Sequence, residues 1–242
     1  MIQNIKLRKY LFLLFGMSFM CSACGELKLG GLTAKQSFSK PLDSQLIYAA
    51  IDEDFAEVDR LVKAGANVNA VGSEGLSPLM WLIAAKAKKG LEKLLQLGAN
   101  PNYKTDIEFS AMELAAQADD IDYLKILLRH GGDPNITCWN GMPLLQRIAN
   151  GRNWKRIDFL LDNGADLNGV DNQGGTIADH VVAVWGRYDK GLFYLEKGTT
   201  VELERLAQIA VMVNVPDSQQ IWYEKLLAAL KQRGVEIPEP RK

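Results

Sequence analysis

Glycine returns in this chain at intervals of 33 residues, at Gly65, Gly98, Gly131 and Gly164, and asparagine keeps the same interval at Asn69, Asn102, Asn135 and Asn168. A fifth glycine, Gly198, follows one residue late. A fixed period of this size confines the chain to a stack of like units, each burying its apolar face against its neighbours. Four and three residues before the glycines stand Leu61-Val62, Leu94-Leu95, Leu127-Leu128, Leu160-Leu161 and Tyr194-Leu195, and seven before the first four stand Val58, Leu91, Leu124 and Ile157. That spacing is the stripe of an amphipathic helix packed on neighbours. The glycine then supplies a left-handed cap without a Cβ penalty.

An earlier helix in each unit is marked by Ser44, Ser77 and Ser110, again 33 apart, and later by Thr176. Hydroxyls there are expected to cap the first free amides. Ser77-Pro78-Leu79 puts proline at the first helical position, where its missing N–H costs nothing. Ala49-Ala50 and Ala115-Ala116 keep one face small enough for close stacking.

The phrases Ser77-Pro78-Leu79 and Gly65-Ala66-Asn67-Val68-Asn69 resemble the ankyrin repeat, over roughly Leu42 to Thr200. The resemblance implies an all-α solenoid of about five helix-turn-helix units over residues 41–200, closed by a divergent helical cap over 201–242. Leu82-Ile83, Arg147-Ile148 and Val181-Val182 replace the small pair, and the fourth unit carries Met142-Pro143, so stacking there is expected to be less regular. In the cap, helices are expected over Val201–Val213 and Asp217–Arg233, separated at Pro216.

The first residues read differently. Lys6, Arg8 and Lys9 precede an apolar run from Tyr10 to Met20, too short to span a bilayer and suited to a secretory signal over residues 1–23. The sequel Cys21-Ser22-Ala23-Cys24-Gly25 resembles a bacterial lipobox, with Cys24 as the lipid-bearing residue, although Cys21 stands where leucine is usual. Ordinary cleavage near Ala23 is the alternative. Residues 24–40, with scattered glycines and no sustained period, read as a lipid-anchored tether spanning about 20 Å. Removing the signal takes the 28 basic residues to 25 against 29 acidic ones. The protein is therefore expected to be exported, as a periplasm-facing lipoprotein, with the outer membrane preferred because Gly25 is not the Asp that marks inner-membrane retention. Outside the anchor only Cys138 remains, a reactive thiol or, more in keeping with a lone cysteine, a small filler.

Near-balanced charge, 28 basic against 29 acidic residues, argues against nucleic acid. No nucleophile elbow, phosphate loop or metal spacing is present, so neither catalysis nor a metal or other cofactor is expected. His130 precedes a capping glycine and suits the late helix carbonyls, while His180 and Asp179 are helical neighbours that point to different sides.

The ankyrin resemblance implies a folded protein partner, held by the turn tips and first helices. The tips are Gly72–Leu76, Thr105–Phe109, Thr137–Asn140 and Asp171–Gly175, and the expected contact residues are Glu74, Leu76, Asp106, Phe109, Trp139 and Asn172. The aromatic tips Phe109 and Trp139 either meet the partner or fold back on a neighbouring helix. Acidic Glu74, Asp106, Glu108 and Asp171 would attract a basic surface or serve solubility. Trp185, Arg187 and Tyr188 form a further candidate cluster. Exported ankyrin lipoproteins of this size resemble immunity proteins that neutralise type VI secretion phospholipase effectors. That resemblance implies a monomer when unbound, with a lipase-type effector as partner. A helper or scaffold for a resident enzyme such as a catalase is the alternative.

Overall fold

A computed structural model describes residues 27–151 and 153–239. The signal segment and Cys24 lie outside the described residues. The chain divides into two compact units, Met1–Gly132 and Asp133–Lys242.

In the first unit, α1 (Ala34–Ser37) precedes three helix pairs: α2 (Pro41–Ile51) with α3 (Phe55–Lys63), α4 (Pro78–Ala84) with α5 (Lys88–Gln96), and α6 (Ala111–Gln117) with α7 (Asp122–Arg129). First helices lie on first helices and α5 lies on α7, as in a stack. The predicted stripe is the core: Val58, Leu61, Leu91, Leu94, Leu124 and Leu127 are fully buried. Each contributes about 2 kcal/mol of apolar burial. Gly65, Gly98 and Gly131 take φ of 93°, 90° and 84°, the left-handed cap read from their spacing.

The asparagine column has an equally local cause. Asn69 donates from Nδ2 to the Gly98 carbonyl at 3.0 Å and accepts the Asn100 N–H at Oδ1 at 2.6 Å. It therefore ties one unit's turn to the next unit's helix end, satisfying groups that helix termini leave open. Asn102 repeats the rung on the Gly131 carbonyl at 2.8 Å. In the second unit Asn135 reaches the Gly164 carbonyl and the Asp166 N–H, and Asn168 the Gly198 carbonyl and the Thr200 N–H.

The caps of the first helices differ from one another. Ser110 accepts the Glu113 N–H at 3.1 Å, and Thr176 forms a full capping box with Asp179. Ser77 is at the N-cap but makes no cap bond. Ser44 is not a cap at all. With Pro41 opening α2, the helix starts four residues earlier than the serine column predicts, and Ser44 donates to the Pro41 carbonyl at 2.9 Å from inside the first turn.

Residues 29–38, expected to belong to a tether, are folded onto the first unit. Leu29 and Leu32 form an antiparallel bridge, Thr33 and Gln36 a capping box around α1, and Phe38 lies 6.5 Å from the Trp81 ring, with only 4% of its surface exposed. The Ser73 N–H donates to the Ser37 carbonyl at 2.7 Å. The two buried anchors, Ala34 and Phe38, stand at the helical spacing i and i+4, but α1 is a single turn of four residues, too short to sustain a period that the sequence could show.

The second unit opens with a two-residue hairpin, β1 (Thr137–Cys138) against β2 (Met142–Pro143), and continues with α8 (Leu144–Ala149), α9 (Trp154–Asp162), α10 (Ile177–Trp185) and α11 (Tyr188–Lys197). The cap is α12 (Leu203–Met212) and α13 (Gln220–Gln232), joined through Pro216 and a 3₁₀ turn at Asp217–Gln219. Six helix pairs thus follow α1 among the described residues: five repeats and a divergent sixth pair.

Candidate partner-binding tips

Three of the four tips are closed by the same two backbone bonds, and the fourth, at Thr137–Asn140, is a β-hairpin turn. Gly72 donates to the Leu76 carbonyl at 3.0 Å and Gly75 to the Gly72 carbonyl at 2.8 Å; Thr105 and Glu108 repeat this at 2.9 and 2.8 Å, and Asp171 and Gly174 at 3.0 and 2.9 Å. The third residue of the turn must be left-handed. Gly75, Gly141 and Gly174 meet that need at 33-residue spacing, while Glu108 stands in the same column with φ 60°. That position costs a non-glycine residue about 1–2 kcal/mol.

In the first unit the tips of the second and third repeats adjoin, since a Cβ on Gly75 would lie 3.5 Å from Thr105. Asp106 is exposed, and Glu74 and Phe109 are half-buried. Glu74 packs its side chain beside Gly30 of the N-terminal bridge. Leu76 does not belong to a binding face: it is 1% exposed and lies in the core. The tip loop turns inward at its carbonyl, which bonds Gly72, and the apolar side chain follows into the stack.

In the second unit Trp139 and Asn172 lie on adjoining tips. Trp139 is 61% exposed. It sits on the hairpin turn Trp139–Gly141, where Asn140 and Gly141 both have positive φ, and a Cβ on Gly141 would lie 2.6 Å from Asn172 Cγ. Gly141 is therefore required both by its conformation and by the approach of Asn172. The buried Cys138 beneath the turn is a filler, with no exposed sulfur. Of the two predicted aromatics, Trp139 stands out into solvent, whereas Phe109 is half covered.

The cluster at Trp185, Arg187 and Tyr188 separates into different roles. Tyr188 is wholly buried and donates to the carbonyls of Ala210 and Val213, tying α11 to α12, and desolvation pushes its hydroxyl up to about 12. Arg187 pairs with Asp189 through two bonds of 2.7 and 2.6 Å. Asp179 and His180 do not form a dyad. The Asp179 carboxylate accepts from Thr176 N–H and Oγ1 at 2.7 and 3.0 Å, and His180 Nε2 is 2.9 Å from Asn150 Oδ1. Burial pushes Asp179 up to about 6 and His180 down. His130 is 3.9 Å from Glu92 rather than on the helix carbonyls expected for it.

No protein-family model matches the chain. It is similar to an ankyrin repeat protein of Acanthamoeba polyphaga mimivirus, 27% identical over 51% of this chain and 16% of that protein. It is similar also to the human SH3 and multiple ankyrin repeat domains protein 2, 26% identical over 67% of this chain and 9% of that protein, and to the mouse ankyrin repeat and SOCS box protein 6, 32% identical over 37% and 22%. The chain spans at most about a quarter of the length of these relatives. The asparagine rungs, the left-handed glycine caps and the closed tips recur at a 33-residue interval, and the chain, like the ankyrin-repeat proteins it is similar to, has the all-α ankyrin-repeat solenoid fold.

Proposed function

We propose that this is a non-enzymatic binding protein whose turn tips hold a folded protein partner. The observation that carries the reading is Trp139, a large aromatic with most of its surface in solvent on a turn fixed by two left-handed residues. An indole held with most of its surface in water costs apolar exposure, whereas aromatic residues are frequent anchors of protein interfaces. Asn172, exposed on the adjoining tip, would supply a polar contact beside it.

We further propose that the protein is exported and lipid-anchored at Cys24, and that its partner is an antibacterial effector of the phospholipase type, neutralised in the periplasm. The support is the signal-like start and the lipobox-like Cys21–Gly25 in the sequence, together with a binding module that carries no recognisable catalytic motif. Mature-protein mass spectrometry with Cys24→Ala tests the anchor: loss of a diacylglyceryl mass in the variant is expected. Crosslinked affinity capture of the full chain from its own bacterium tests the partner. Trp139→Ala should weaken the captured complex by about 2 kcal/mol, roughly thirtyfold in Kd. Unchanged affinity would remove Trp139 from the interface. A resident enzyme in place of a toxin-like partner would favour a helper role.

A further inference from the structure

A second surface of the second unit lies on the α9 and α11 helices. Along it, cations and aromatic rings alternate. The Arg187 guanidinium carbon is 5.3 Å from the Trp154 ring centroid, Lys190 Nζ is 5.0 Å from Trp154 and 5.1 Å from Phe193, and Lys197 Nζ is 5.7 Å from Phe193. Lys190, Phe193 and Lys197 stand at i, i+3 and i+7 on one face of α11. Arg187 is neutralised by Asp189. Lys190 and Lys197 make no ion pair among the described residues, and Phe193 is 37% exposed between them.

Ring-to-cation contacts of this kind contribute about 0.5–1 kcal/mol each at exposed sites and serve packing. They do not satisfy the donors. An ammonium placed between two rings is held in place with its N–H groups still open, which is the condition of a preorganised anion contact. The rise from Lys190 to Lys197 is about 10 Å along a helix. A polyproline-II segment returns to the same side every three residues, about 9 Å apart. Two carboxylates three residues apart in such a segment would meet both ammoniums, with the stiff stretch between them passing over Phe193.

We propose that this face binds a short acidic segment of a partner protein in the polyproline-II conformation, with the pattern acidic-apolar-apolar-acidic. An anionic membrane fits less well. Two unpaired lysines contribute only about 1 kcal/mol each at a lipid surface, where several basic residues are needed. The site is independent of the turn tips, so it stands or falls apart from the reading of Trp139.

The test uses the full chain and a fluorescein-labelled peptide, Gly-Ser-Glu-Pro-Pro-Glu-Ser-Gly, followed by anisotropy at two salt concentrations. Saturable, salt-sensitive binding is expected. Each ammonium contributes about fivefold in Kd, from an exposed ion pair near 1 kcal/mol, so Lys190→Glu with Lys197→Glu should lose at least about twentyfold. A peptide with the two Glu adjacent should bind about fivefold more weakly. Lys197→Glu alone, exposed on the last turn, keeps the test valid if the double variant fails to fold. Absence of saturable binding, equal binding by wild type and variants, or binding only to anionic phospholipid vesicles would each overturn the proposal.

Discussion

Gly90 offers a perturbation whose sign reverses between sequence and structure. It is the third residue of α5, and replacing a helical glycine by alanine ordinarily stabilises by about 0.5–1 kcal/mol. Here a Cβ would overlap the Ala50 carbonyl oxygen and lie 2.8 Å from its carbonyl carbon. That obstacle is backbone at the end of α2, which has no rotamer to move to. To clear it, α5 must retreat by roughly an ångström, enough to forfeit a quarter to a half of the dispersion energy across the contact. Leu91 and Leu94 on α5 and Leu46 and Ile47 on α2 are all fully buried at or near this contact. Overpacking of this kind costs about 1–3 kcal/mol, to which the lost packing adds. After the helix-propensity gain is subtracted, Gly90→Ala should destabilise by about 2 kcal/mol or more. Urea unfolding followed by circular dichroism would read this as a lower midpoint with an unchanged slope. Gly98→Ala is the comparison, because nothing lies within 4 Å of its added Cβ and only its φ of 90° opposes the change; a loss of about 1–2 kcal/mol is expected there. If Gly90→Ala is as stable as wild type, the close approach of α5 to α2 is wrong.

Three further outcomes test other parts of the structure. Asn69→Ala removes a rung with two bonds to the following repeat and should cost about 1–2 kcal/mol in the same unfolding assay; an effect below 0.3 kcal/mol, on the order of an ordinary surface change, would make the asparagine column incidental. Phe38→Ala should cost about 3 kcal/mol if residues 29–38 are part of the fold, whereas a tether would leave stability unchanged. Burial raises the Asp179 carboxyl to about 6, so the folded chain keeps this proton to higher pH than the unfolded chain, whose carboxyl titrates near 3.8. The corresponding stability is present below about pH 4, is lost as pH rises to about 6, and amounts to on the order of 2–3 kcal/mol. Asp179→Asn should therefore match wild type near pH 4 and exceed it at pH 7. The lowered His180 acts in the opposite sense, since it opposes folding as pH falls through about 6.5, but it is common to both proteins and leaves their difference intact. Parallel stability curves for the two proteins would contradict the burial of a charged Asp179.

What was legible in the sequence were features imposed by a repeating backbone. A glycine at φ near 90° and an asparagine bridging to the next turn must recur wherever the geometry recurs, so Gly65 and Asn69 announce themselves at 33-residue spacing. Features that occur once were not legible. Phe38 is buried beside Trp81 at a place that no other repeat copies, and no sustained period marks it. Leu76 occupies a tip in sequence yet points into the core, because the loop carbonyl that closes on Gly72 turns its side chain inward. Ser44 kept its column but lost its role when Pro41 started the helix earlier. The ring and cation ladder on α9 and α11 joins residues more than thirty positions apart, so only the fold brings Trp154 to Lys190.

The late glycine at 198 indicates which parts of the repeat are free to change. In the fifth repeat α10 runs through Trp185 and ends at a left-handed Gly186, φ 57°, and the following glycine falls one residue behind the period. The rung nevertheless forms: Asn168 still reaches the Gly198 carbonyl and now takes the Thr200 N–H, 32 residues on, where Asn69 takes Asn100, 31 residues on. The extra residue is absorbed between the rungs while the rung itself is kept. Register in this stack is therefore held by the asparagine side chains and the capped carbonyls, not by equal helix lengths. One extra residue between rungs leaves the rung intact, which frees both the hairpin turn that carries Trp139 and the α11 face that carries Lys190 and Lys197 to differ from the other repeats. Those two departures from the repeat are where binding is proposed.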